Sequence, residues 1–162
     1  MANESLATYL NDHLAGSVVA LELLDYLEGE RAGTAEASIL AGVHADIEAD
    51  RQELEVFMAQ RRLTVSEPRK ATGWVVEKLS EIKLRLDDPG DGALQRLEAL
   101  EAVSLGIAGK QALWHALAAA VEDAPELNEL DYARLVRRAE AQRQVVETLR
   151  LDAAREALGT RS

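Results

Sequence analysis

Four stretches of this chain place apolar side chains three or four residues apart over many turns, and its prolines, Pro68, Pro89 and Pro125, all fall between those stretches. Proline lacks the amide proton that a helix interior needs, so its confinement to the gaps marks where helices stop. The spacing predicts helices over about 5–28, 35–61, 93–122 and 127–158 of a single domain, 1–162. Leu6, Leu10, Leu14, Ser17, Leu21 and Leu24 form the first stripe, and Ile39, Val43, Ile47, Leu54, Phe57 and Met58 the second. The third runs from Leu97 through Leu100, Val103, Ile107, Trp114 and Leu117 to Val121, and the fourth from Tyr132 through Leu135, Ala139, Val146 and Leu149 to Ala153. Asn3 or Ser5 can cap the first helix, Gly29 can end it, and Thr34 can cap the second. Short loops join the first pair and the last pair, which predicts antiparallel neighbours.

Between the pairs lies a long connection, 63–92. Trp74, Val75, Leu79 and Ile82 predict an extra amphipathic helix over about 71–86, followed by a turn at 87–92. Short loop, long crossover, short loop is the connectivity of one class of four-helix bundle. In this order and in helix length the chain, over roughly 5–158, resembles the ferritin-like superfamily. The expected fold is therefore all-α, a ferritin-like four-helix bundle with one long crossover containing an extra helix.

That resemblance implies iron or manganese held by a Glu from each of two helices and a Glu-x-x-His from each of the others. The sequence departs from the motif at every histidine. Leu10 precedes His13 by three residues, Ala41 precedes His44, and Ala112 precedes His115. Glu140 and Glu147 head Glu-x-x-Arg spacings with Arg143 and Arg150, and arginine is not a metal ligand.

Helical projection puts other residues on the inner stripes. His13 and Ser17 fall on the first, Asp50 on the second with Arg51 at its edge, Lys110 and Gln111 on the third, and Gln142 on the fourth. Counting back from the short loops brings these to one level. The expectation is a mid-bundle polar layer of His13, Ser17, Asp50, Lys110, Gln111 and Gln142, with an Asp50–Lys110 ion pair where relatives would bind metal. A buried charge needs such a partner. Three outcomes stay open: a metal-free hydrogen-bonded network, a small-ligand pocket around the same residues, or an unusual metal site using His13 and Asp50.

Other motifs have plainer readings. His44 and Glu48 stand one turn apart off the inner stripe, as a surface pair does. Asp87, Asp91, Gly92 and Glu98 match positions of a calcium-binding loop, but Pro89 occupies a ligand position, and a turn with Asp91 as helix cap explains the same residues.

Composition bounds the function. A formal net charge of -11 disfavours nucleic acid as a partner. The absence of cysteine removes thiol catalysis and thiolate-held metals. No apolar run is long enough for a membrane span and no signal-peptide pattern begins the chain, so the cytoplasm is the expected location. The expected role is structural or protein-interacting rather than enzymatic, with no cofactor and a homodimer formed through apolar helix surface. The alternatives are a metal-dependent oxidoreductase or storage protein, as the resemblance implies, and a bundle that binds a small molecule.

Overall fold

The computed structural model describes residues 2–66 and 92–159, with side chains from Glu4 onward. The expected crossover helix, the Asp91 cap and most of the calcium-like turn lie outside those residues. Among the described residues the chain is helical, without strands. Helix α1 spans Ala2–Glu30, α2 Ala35–Gln60, α3 Gly92–Ala120 and α4 Tyr132–Leu158, with a 3-10 turn at Pro125–Leu127 before α4. None of them is long and apolar enough to cross a membrane.

Capping chemistry sets several of the boundaries. The Thr34 hydroxyl accepts from the amide of Ala37 at 3.3 Å and so starts α2. Gly33, at φ +81°, makes the left-handed turn between α1 and α2. Gly29 and Ser5 both lie inside α1, which begins before the expected caps and ends after the expected stop. Asp131 caps α4 by accepting from the amide of Arg134 at 3.0 Å, so α4 starts later than the apolar pattern predicts. Proline at 125 opens the separate 3-10 turn ahead of it.

The helices pack in a ring: α1 touches α2 and α3, and α4 touches α3 and α2. Two apolar clusters fill the bundle. One joins Leu24 and Leu27 to Leu40, Leu100 and Ala153; the other joins Leu10 and Leu14 to Phe57, Trp114 and Leu135. The end of α1 thus meets the start of α2, the start of α3 and the end of α4. Ring neighbours run antiparallel, while α2 and α3 run parallel across the diagonal. Gln60 and Gly92 therefore lie at opposite ends of a bundle about 40 Å long, at 1.5 Å rise per residue.

At the loop end, Arg96 is buried and ties three helices together. Its Nε and Nη2 donate to Glu36 at 3.0 and 2.7 Å, and its Nη1 donates to Glu156 at 2.9 Å. At the opposite end, Asn11 holds the chain as it leaves α2, donating to the Thr64 carbonyl at 2.9 Å and accepting from the Ser66 amide at 2.7 Å. On α2 the inward residue of the first turns is Leu40, fully buried, and not Ile39, which is exposed.

Candidate functional site

Between the two apolar clusters the bundle turns polar. Asp50 emerges from α2 between Ile47 and Leu54 and is 1% exposed. Its Oδ2 accepts from Lys110 Nζ on α3, and from Gln142 Nε2 on α4 at 3.1 Å. Lys110 also donates to Gln142 Oε1. Asp50 Oδ1 accepts from Arg138 Nε at 2.7 Å. Arg138 in turn donates to Glu53 at 2.8 Å, and Arg134 donates to Glu53 at 2.6 Å. Three cations thus face two carboxylates across α2, α3 and α4. Burial depresses the Lys110 ammonium, and the Asp50 carboxylate beside it opposes that shift. Burial pushes Glu53 up, but hydrogen bonds from Arg134 and Arg138 outweigh it and hold the carboxyl below 4.5.

The structure brings Asp50, Lys110 and Gln142 into one network. His13 and Ser17 do not join those bonds; they face it across a cavity. Ser17 donates back to the Leu14 carbonyl of its own helix. The His13 ring stands edge-on to Tyr9, with centroids 4.8 Å apart. Burial lowers the His13 pKa below 6.5, against a smaller upward pull from Asp12. Gln111 is not part of the layer. It lies on the outer seam of α3 and α4, where it donates to Glu140 at 3.3 Å and accepts from Arg143 at 3.2 Å. Gln111 stands about 100° round α3 from Lys110, which here turns it toward α4 rather than toward the cavity.

The cavity lies between α1, α3 and the inner face of α2 and measures about 230 Å³. Its walls are chiefly apolar, with Leu14, Ala20, Ile47, Leu54, Ile107 and Leu113, and Asp12, His13, Ser17, Asp50, Arg51 and Lys110 are the charged and polar residues of the lining. Gly16, Gly106 and Gly109 also line it. A Cβ built at Gly16 or Gly109 would meet nothing within 4 Å, so the room comes partly from missing side chains. Trp114 is 1% exposed, and its Nε1 has no hydrogen-bond partner among the described residues. A buried donor without a partner is costly and uncommon in a folded protein.

The geometry bears directly on metal binding at His13 and Asp50. Both Asp50 oxygens already accept from cationic side chains. A metal there would have to displace an ammonium or a guanidinium while standing beside both. The donor set is therefore unsuited to a cation. His44 pairs across the surface with Asp25 at 3.1 Å, whereas Glu48 accepts from Gln52 at 3.5 Å. Ligand atoms of Asp25, Glu28 and His44 lie within 4.8 Å of one another, and Asp25 is exposed.

Arg138 and Arg96 are the functional-looking residues that stripe projection misses. Arg138 leaves α4 one turn before Gln142, and that spacing is the signal that points to it. Compared with protein-family models, curated proteins and solved structures, the chain matches none.

Proposed function

We propose that this protein is a ferritin-like bundle that binds a small, largely apolar molecule beside the polar layer, where the resembling family would hold metal. The up-down-down-up order of the helices, with α2 and α3 parallel, supports the ferritin-like part of the reading, because one long crossover must join those two helices. The observation that carries the ligand is the cavity: about 230 Å³, walled mainly by apolar side chains, with Lys110 among the polar residues of its lining. An apolar cavity of about 150 Å³ holds a benzene molecule. This one has room for about nine heavy atoms by the same ratio. The few converging polar groups are what orient a ligand in such a pocket.

Methyl-detected NMR titration with toluene tests this. A saturable single site should shift the methyls of Ile47, Ile107 and Leu113 and leave those of Leu24 and Leu100 in place. No saturable shift at the cavity methyls refutes ligand binding there.

A further inference from the structure

Every helix that borders the cavity gives its wall charged or titratable side chains. Asp50 and Arg51 come from α2, Lys110 from α3, and Tyr9, Asp12 and His13 from α1. Asp50 and Lys110 hold each other, with Arg138 and Gln142 completing the network, and Arg51 pairs with Glu55 at 2.9 Å. Burial raises the Tyr9 phenol, further from neutrality. His13 is of the one residue type in this wall that ordinarily changes charge between about pH 5 and 8. Its ring is partly buried and stands edge-on to Tyr9, and neither ring nitrogen is hydrogen-bonded to a described residue. An imidazolium at this position must therefore be solvated by water entering the cavity. A guest that fills the cavity excludes that water.

We propose that His13 makes the cavity an acid-releasing site, which takes up a neutral apolar guest while the imidazole is uncharged and gives it up when the imidazole is protonated. This rests on the cavity being the ligand site and adds how that site is regulated. The charge of an imidazolium spreads over the whole ring, so the effect does not depend on which nitrogen turns inward. Burial already holds the His13 pKa below 6.5, and Asp12 pulls it upward by less. A bound guest deepens the burial and lowers the pKa further. The coupling is reciprocal: the factor by which the guest disfavours the proton is the factor by which the proton disfavours the guest. A further depression of one pH unit corresponds to about tenfold in affinity.

Toluene titration of the full chain at about pH 7.5 and about pH 5, followed by methyl NMR with the fold checked by circular dichroism at each pH, decides the matter. Toluene is expected to bind about three- to tenfold more weakly at the lower pH. His13→Gln stays neutral at both and should bind toluene equally well at each. The ring protons of His13 in the unaltered chain give a second measurement that needs no variant. Their titration midpoint should lie lower in the toluene-saturated protein than in the free one, by an amount that matches the affinity ratio. Toluene affinity that ignores pH, or that falls as much in His13→Gln, overturns the assignment to His13 and leaves the cavity reading standing. A His13 midpoint that toluene does not move overturns it as well. Absence of toluene binding at both pH values overturns both readings.

Discussion

Asp50 is the residue on which the polar layer turns. It accepts from Lys110 and Arg138 at once, so Asp50→Asn keeps the shape while stranding the Lys110 ammonium and leaving Arg138 with Glu53 alone. Breaking a buried pair from one side costs about 3–5 kcal/mol, and urea denaturation should show a loss in that range. Adding Lys110→Met to the same chain should recover part of it, because the stranded ammonium is gone, giving a non-additivity of about 1–3 kcal/mol. His13 makes a separate, pH-dependent contribution. Its folded pKa lies below 6.5, so between those two values the unfolded chain holds more protons than the native one. The stabilisation is complete above pH 6.5 and falls away as pH drops through the folded value. Denaturation midpoints should decline below pH 6.5, and His13→Phe should flatten that decline. Glu53 adds a second fall only below 4.5, where its pairing with Arg134 and Arg138 is lost. The layer was largely legible in the sequence, because Asp50, Lys110 and Gln142 each interrupt an apolar stripe and short loops fix their depth. Gln111 was misplaced because it is the immediate neighbour of Lys110 and shares the edge of that stripe. Arg138 was missed because its Cα sits off the inner face and a long guanidinium stem carries its charge back inward.

At the scale of the helices, Arg96 does what no apolar contact can: it fixes the relative rotation of α2, α3 and α4 at one end. Its two bonds to Glu36 are bidentate and shielded from water, whereas Glu156 is half exposed. Arg96→Met should therefore cost about 1–3 kcal/mol, because the largely buried Glu36 keeps only Arg31, at 3.2 Å, as a cationic partner. Glu156→Gln should stay near the surface-pair range, about 0–1 kcal/mol. Equal losses from the two variants in chemical denaturation would contradict this ranking. Helix existence and order follow from periodicity, yet the ends do not. The start of α4 is set by the Asp131 cap, and the α1–α2 turn is made by Gly33 rather than Gly29, since only the residue at positive φ needs glycine. Ile39 and Leu40 show the same limit, as two adjacent aliphatic residues fit a broad stripe equally well until packing chooses one.

Across the whole molecule, stability and ligand binding should oppose each other at the cavity. Glycine inside a helix is less stable than alanine by about 0.5–1 kcal/mol, and Gly16 and Gly109 are both in helix interiors. Neither is held there by crowding, since a Cβ at either position meets no atom within 4 Å. A bundle selected for stability alone gains by filling these positions; a bundle selected to hold a guest keeps them open. This is also the sequence signal for the pocket that stripe projection passes over, because interior glycines on facing helices mark a seam where side chains are withheld. Gly16→Ala and Gly109→Ala should each raise stability by about 0.5–1 kcal/mol, and the double variant by about the sum. The same changes remove volume from the cavity, so the double variant should bind toluene several-fold more weakly while unfolding at a higher temperature. The two measurements must move in opposite directions. If stability rises and affinity is untouched, the glycines serve helix packing and the guest sits elsewhere. If both fall, the empty space at Gly16 and Gly109 is too small to admit a methyl group, and the cavity cannot accept a molecule of the size argued.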